Sequence, residues 1–210
     1  MQTLTNLITN FGDLIELDFD TWDLDNAVAV LNQHSGWVQY NPRKLINRKG
    51  LSVTSLDGGY SGVPDLDSLR EYNILNNKAY NEGHFKKRTD IVDSIPELNL
   101  LLDTFSDHGR CHFLRLDSGG YFPPHRDNGL SNAAPSTFRI IVPIHNFHRN
   151  QLIWVQEDEI LNFELGRAYF VNTSKVHSLF SFVDNSLCLV MNVMASPGSI
   201  ENILKHCAVK

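Results

Sequence analysis

The chain has 210 residues, of which 42% are hydrophobic and 20% are charged, and its formal net charge is −6. This length and composition are typical of one globular domain with a sizeable core. The mildly acidic balance, with no long Lys/Arg run, argues against nucleic acid or an anionic membrane surface as a partner.

The cysteines and the first residues predict the compartment. Cys111, Cys188 and Cys207 are odd in number and form no C-x-x-C pair, which argues against a disulfide framework or a thiolate zinc site. The first twenty residues lack a basic segment and carry early acidic residues, unlike a secretory leader. No apolar run approaches the roughly 18 residues of a membrane span. We therefore expect a cytoplasmic protein that does not associate with membranes.

The first hundred residues predict a mixed, partly helical segment. Residues 23–36 begin with an Asp, carry apolar residues at helical spacing and end at a Gly, which predicts a short helix. Further helices are expected over 66–77 and over 90–105, the second interrupted near Pro96. Between the helices over 23–36 and 66–77, residues 48–62 read as a strand followed by a Gly-rich loop.

After residue 110 the pattern changes to short β-type runs separated by turn residues. These runs are CHFLRL, STFRIIVPI, QLIWVQ, ILNFEL, RAYFVN, HSLFSF and LCLVMNV. Many short strands at intervals of roughly 8–12 residues indicate an antiparallel sandwich or barrel. A final helix is expected over 196–206, where a Ser and a Pro stand at its start.

We therefore predict a mainly β fold with N-terminal helices, a double-stranded β-helix or jelly roll. One domain would cover 1–210. It would consist of a mixed N-terminal part (1–109), a jelly-roll metal-binding core (110–195) and a C-terminal helix (196–210).

The stretch HRDNGLSN, residues 125–132, matches the H-R-D-x-x-x-x-N pattern of the protein-kinase catalytic loop. The rest of the chain excludes that interpretation. A kinase also needs a Gly-rich phosphate loop and a D-F-G after the catalytic loop. The chain contains no G-x-G-x-x-G, and a predicted strand, FRIIVPI, follows Asn132 instead.

On a β scaffold the same letters favour a metal site. Residues i and i+2 of a strand point to one face, so His125 and Asp127 can converge on one point. A His and a carboxylate joined by a distant second His make the facial triad that binds Fe(II) and leaves positions open for a 2-oxo acid and O₂. Of the later histidines, His145 and His148 flank a loop and His206 lies on the terminal helix. His177, at the start of a strand, is the expected third ligand.

The region from about Arg115 to Val193 resembles the Fe(II)- and 2-oxoglutarate-dependent oxygenases. Within them it resembles the aspartyl/asparaginyl β-hydroxylase-like group, which includes bacterial proline hydroxylases. The resemblance rests on the order of LRLDSGGYFPPHRD, FRIIVPI and LGRAYFVNTSKVHSLF. It implies a dioxygenase that hydroxylates an unactivated C–H of an amino acid or peptide side chain. Its cofactors would be Fe(II), 2-oxoglutarate and O₂, its products succinate and CO₂, and its partner a small-molecule or peptide substrate.

One position departs from the family pattern. An Arg about ten residues after the distal His usually grips the far carboxylate of 2-oxoglutarate, but Leu187 stands there. We expect Arg139 to take this role, because a guanidinium matches a carboxylate with two hydrogen bonds. Arg139 holding the substrate's own carboxylate is an open alternative, and Arg115 and Arg167 are further candidates for the anchor.

Three further expectations concern residues around the metal. His145 is a candidate contact of the 2-oxo acid, and Arg126, between two ligands, is a candidate catalytic or substrate-facing residue. Residues 47–62 are a candidate lid, with a plain surface hairpin as the open alternative; in a lid, Arg48 or Arg126 would meet a substrate carboxylate.

Two other functions remain open. A cupin-like metal-dependent enzyme that does not use 2-oxoglutarate would explain the missing Arg. A non-catalytic jelly-roll binding or sensor domain would keep the fold alone. The sequence indicates no oligomeric state.

Overall fold

A computed structural model describes residues 4–127 and 136–207 of the chain. Six α-helices lie in this part: α1 (Leu4–Phe11), α2 (Leu24–Gln33), α3 (Leu69–Asn76), α4 (Ile91–Ser94), α5 (Glu97–Thr104) and α6 (Pro197–Lys205). A short 3-10 turn covers Glu82–His84. None of the helices in these two ranges is long and apolar enough to cross a bilayer.

Thirteen strands lie in the same ranges. Before residue 108 they are β1 (Leu14–Leu17), β2 (Val38–Gln39), β3 (Arg48–Ser52), β4 (Thr54–Ser55) and β5 (Lys87–Arg88). The later strands are β6 (His108–Leu116), β7 (Tyr121–His125), β8 (Thr137–His145), β9 (Leu152–Gln156), β10 (Glu159–Ile160), β11 (Ala168–Val171), β12 (His177–Ser181) and β13 (Ser186–Met194).

The strands form two main antiparallel sheets. The major sheet has the order β1-β11-β8-β13-β6-β3-β2, and the minor sheet has the order β10-β9-β12-β7. From β6 onward the chain passes repeatedly from one sheet to the other. This alternation confirms the predicted double-stranded β-helix.

The major sheet is buried on both faces, as its nearly continuous apolar strands require. On β13, Leu187, Leu189 and Met191 pack towards the helices, while Cys188 belongs to the core between the two sheets. On β8, Ile140 packs towards the helices and Ile141 belongs to the core between the two sheets. Alternate residues of these central strands therefore reach either the helices or the space between the sheets.

A glycine turn takes the chain from β6 to β7. Gly119 has a φ of +75°, a left-handed conformation that glycine adopts without steric cost. At Gly120 a β-carbon would lie 2.2 Å from the carbonyl oxygen of Asn47. Only glycine fits there, because any side chain would clash with this carbonyl oxygen. The turn leads the chain from β6 in the major sheet to β7 in the minor sheet.

The predicted helices correspond to α2, α3, the pair α4 and α5, and α6. Two details differ from the expectation. The N-terminal part supplies β1, β2 and β3 to the major sheet, which therefore continues across residue 110. The run ILNFEL was wrongly expected to be a strand, because only Ile160 lies in β10. Phe163 instead packs from a loop against Trp154 and Tyr169.

Candidate metal centre

Two neighbouring strands of the minor sheet bring the three predicted metal ligands together. His125 ends β7 and His177 begins β12, and the two residues face each other in the antiparallel register. Asp127 lies two residues beyond β7, where its N–H donates to the carbonyl oxygen of Thr173 at 3.0 Å. One nitrogen of each His and one oxygen of Asp127 all lie within 4.8 Å of one another.

Backbone carbonyl groups fix the tautomer of both imidazoles. The Nδ1 atom of His125 lies 2.8 Å from the carbonyl oxygen of Pro123, and that of His177 lies 3.0 Å from the carbonyl oxygen of Lys175. Because a carbonyl only accepts, each Nδ1 must carry the hydrogen. In the neutral rings both Nε2 lone pairs are then free for a metal ion, an arrangement typical of metal-bound histidines.

The electrostatics of the site favour a charged Asp127 carboxylate and a neutral His177 imidazole. Burial alone would raise the pKa of Asp127, but Arg139 and the two histidines outweigh it and lower this pKa. The Nη2 atom of Arg139 lies 3.0 Å from Oδ2 of Asp127. Burial lowers the pKa of His177 despite the nearby Asp127 carboxylate. Near neutral pH these protonation states are the ones that metal binding requires.

This donor set fits a divalent transition metal. Two imidazoles and one carboxylate on one side of an ion form the facial arrangement associated with non-haem Fe(II) and leave further coordination positions open. Oδ1 of Asp127 lies 3.7 Å from Nε2 of His125, so this oxygen faces the nitrogen that would bind the metal. Oδ2 meets Arg139, which fixes how the carboxylate is turned.

The triad opens into a cleft between the two sheets. Aromatic rings form much of its wall: Trp154 stacks on His177 with 5.7 Å between ring centroids, and Phe122 stacks on His125 with 6.1 Å. The remaining lining combines apolar and polar side chains. The lining residues include Tyr40, Arg110, His112, Leu114, Ile141, Leu179, Val190 and Asn192.

Two arginines line the cleft, and sequence reasoning identified only one of them. Arg139, on β8, was the expected anchor and contacts Asp127. Arg110, on β6, was missed; its Nη2 atom lies 2.6 Å from Oε1 of Glu82. The alternation of β6 was the available signal, because it places Arg110 and His112 on the cleft side of the strand and Arg115 on the other side.

The structure does not bring the other predicted cosubstrate contacts to the cleft. Arg115 pairs with Asp117 at 3.1 Å on the opposite face of the major sheet. His145 lies at the other end of β8, roughly 20 Å from Arg139 at the usual rise of a strand. Arg167 precedes β11 and lies 4.0 Å from Glu16.

The remaining candidates lie near the cleft in different settings. Arg126 is exposed between the two ligands of its segment. Arg48 is not part of a mobile lid, because it lies in β3, is only 3% exposed and has its guanidinium 4.1 Å from the ring centroid of Phe122. Asn132, the last residue of the kinase-like pattern, lies outside the described residues.

The sequence matches no protein-family model and no curated protein. Solved structures do match. One is a prolyl hydroxylase from Trichoplax adhaerens, in complex with a hypoxia inducible factor oxygen degradation domain peptide fragment. Its TM-score is 0.51 at 11% identity, over 94% of this chain and 90% of that chain.

Two bacterial structures are similar at lower scores. A prolyl-4-hydroxylase from Pseudomonas putida gives a TM-score of 0.48 at 11% identity, over 91% of this chain and 96% of that one. A 2OG-Fe(II) oxygenase family oxidoreductase from Burkholderia pseudomallei gives 0.47 at 10% identity, over 90% and 86%. At 11% identity the likeness to the Trichoplax adhaerens structure supports the jelly-roll fold alone, and the function has to be argued from the site.

Proposed function

We propose that the protein is an Fe(II)- and 2-oxoglutarate-dependent dioxygenase that hydroxylates an unactivated C–H of an amino acid or a peptide side chain. The observation that carries this proposal is the His125–Asp127–His177 cluster. Both of its imidazoles have Nδ1 bound to a carbonyl oxygen and Nε2 free. A histidine that serves only packing has no need of a free Nε2 close to a partly buried carboxylate.

The residues divide into a metal-binding set and a carboxylate-binding set. His125, Asp127 and His177 would hold Fe(II), which with 2-oxoglutarate and O₂ supplies the oxidising chemistry and leaves succinate and CO₂ as co-products. Arg139 donates from Nη2 to Asp127 and has further N–H groups for a carboxylate of 2-oxoglutarate. Its side chain is 15% exposed, so that contact would be largely shielded from water.

Charge balance supports a dianionic cosubstrate. Arg110 and Arg139 are matched by the carboxylates of Glu82 and Asp127. A divalent metal would therefore leave this part of the cleft with two positive charges in excess. A 2-oxoglutarate dianion neutralises that excess, whereas a neutral ligand would leave it in a partly buried site at considerable cost.

The cleft also offers a place to orient a C–H bond. Leu114, Ile141 and Leu179 line the same cleft as the triad. Such side chains exclude water from the reacting group and make no hydrogen bonds of their own. The peptide bound to the Trichoplax adhaerens prolyl hydroxylase supports a peptide or amino-acid substrate here. Exposed Arg126, beside the ligands, is placed to meet its polar part.

Coupled turnover tests the proposal. Purified protein with Fe(II), ascorbate and 2-oxoglutarate should form succinate slowly without substrate and faster with the correct amino acid or peptide. Asp127→Ala should abolish both rates, and Arg115→Ala, off the cleft, is the matched control. Metal binding with no consumption of 2-oxoglutarate would instead favour the cupin-like alternative. A protein that binds neither metal nor 2-oxoglutarate would favour a non-catalytic domain.

A further inference from the structure

Asn192 has its amide orientation fixed by a carboxylate. This residue lies on β13, lines the cleft and is 2% exposed. Its Nδ2 atom donates to Oε2 of Glu82 at 2.8 Å. Because a carboxylate only accepts, the amide cannot be turned over without losing this bond. The other branch of the amide, Oδ1, must therefore point away from Glu82.

Glu82 is itself held firmly in place. Arg110 binds it with its backbone N–H, with Nε and with Nη2, at distances from 2.6 to 3.2 Å. This pairing outweighs the effect of burial and lowers the pKa of Glu82 to about 2. The carboxylate therefore stays charged at physiological pH and keeps accepting from Nδ2 of Asn192. This contact fixes the orientation of the Asn192 amide.

Oδ1 of Asn192 has no hydrogen-bond donor among the residues that the structure describes. A buried acceptor without a donor is destabilising, so the few that native proteins retain call for an explanation. Arg139 is the cross-strand neighbour of Asn192 but donates to Asp127 instead. Asn192 lines the cleft, so a ligand bound there would be the nearest source of a donor from outside the protein.

The side chain of Asn192 lies close to the candidate metal centre. Asn192 and Arg139 are opposite each other on adjacent antiparallel strands, where Cα atoms lie about 4.5–5.5 Å apart. Arg139 contacts the ligand Asp127 directly. Only one side chain therefore separates Asn192 from the triad.

A ligand that binds Oδ1 of Asn192 must donate a hydrogen bond to it. 2-Oxoglutarate at neutral pH has two carboxylates and a ketone, all of which only accept hydrogen bonds, so it cannot serve. We propose that Asn192 is a specificity-determining residue that accepts a hydrogen bond from an N–H or O–H group of the primary substrate. This inference rests on the proposed function; it restricts the substrate to one with an amine, amide or hydroxyl near the C–H that reacts.

Two variants separate the acceptor from the contact with Glu82. Asn192→Leu and Asn192→Asp both lose the bond to Glu82, but only the Asp variant keeps an acceptor. The probes are the twenty proteinogenic L-amino acids and their N-permethylated betaines, which carry no hydrogen on that nitrogen. Binding to the Mn(II)- and 2-oxoglutarate-loaded protein is followed through the Mn(II) EPR signal.

We expect a probe that binds wild-type protein to bind Asn192→Leu at least tenfold more weakly and to recover most of its affinity in Asn192→Asp. Where the α-amine of the probe is the donor, its betaine should bind the wild type and Asn192→Leu equally. Equal affinity of the unmethylated probe for the wild type and Asn192→Leu would overturn the inference.

A second measurement needs no substrate. In Mn(II)-loaded protein, Arg139→Met should raise the dissociation constant of 2-oxoglutarate about a hundredfold and Asn192→Leu less than threefold. A rise of tenfold or more in Asn192→Leu would place Asn192 in the cosubstrate site and overturn the inference. If wild-type protein fails to bind 2-oxoglutarate, the proposed function falls. In a crystal structure of the Mn(II) form, Oδ1 of Asn192 bound by a protein donor would overturn the inference whether or not 2-oxoglutarate binds.

Discussion

Removing the guanidinium of Arg139 should weaken 2-oxoglutarate binding by about two orders of magnitude. Breaking a buried ion pair by deleting one partner costs about 3–5 kcal/mol. The side chain of Arg139 is 15% exposed, so its pair with a carboxylate of 2-oxoglutarate would be partly hydrated and the lower end of that range applies. About 3 kcal/mol corresponds to a dissociation constant raised roughly 150-fold. Arg139→Lys should recover only part of the loss, because an ammonium cannot make the two-pronged contact.

The assay is a calorimetric titration of 2-oxoglutarate into Mn(II)-loaded protein without O₂. Arg139→Met is compared with Arg115→Met, a matched control in which an arginine of a similar ion pair is removed outside the cleft. Circular dichroism and thermal unfolding establish that both variants fold. An unchanged dissociation constant in Arg139→Met would refute the assignment of the anchor. A loss in Arg115→Met would show that the face of the major sheet has been assigned wrongly.

Three further outcomes are expected. Glu82 has a folded-state pKa of about 2 against a usual 4.5, so its stabilisation is present above pH 4.5 and is lost as the pH falls towards 2. Glu82→Gln should therefore cost about 3 kcal/mol in urea unfolding at pH 7 and clearly less at pH 3; a pH-independent difference would contradict this. Burial raises the pKa of Asp65 from 3.8 to about 6, so the folded state favours the protonated carboxyl. The free energy of unfolding is therefore not reduced by Asp65 below pH 3.8, and it falls as the pH rises through 6. Asp65→Asn should stabilise the fold by up to about 3 kcal/mol at pH 7.5 and by little at pH 4, and destabilisation at pH 7.5 would refute the reasoning. Arg126→Ala should raise the substrate KM several-fold, and an unchanged KM would remove Arg126 from the substrate site.

The parts of the site that follow from local spacing could be predicted. His125 and Asp127 are two residues apart, and the extended backbone brings both side chains to one side whatever the rest of the fold does. His177 followed from its place at the start of a β-type run. The helices over 23–36 and 196–206 also carry their own start signals, since Asp23 and Ser196 cap them by accepting N–H bonds.

The parts that depend on contacts distant in sequence could not be predicted. Glu82 and Arg110 are 28 residues apart, and a short 3-10 turn with no periodic pattern brings them together. The strands β1 and β2 are four and two residues long, too short for an alternating pattern to stand out. Arg110 was not among the predicted candidates, although the alternation of β6 places it on the opposite side of the sheet from Arg115.

A crystal structure of the protein with Mn(II) and 2-oxoglutarate, grown without O₂, tests the central claim most directly. We predict one metal ion per chain, bound by Nε2 of His125, Nε2 of His177 and a carboxylate oxygen of Asp127. The 2-oxoglutarate should chelate that ion, with a carboxylate on Arg139. A metal bound elsewhere, or a bound triad with no 2-oxoglutarate at saturating concentration, would contradict the account.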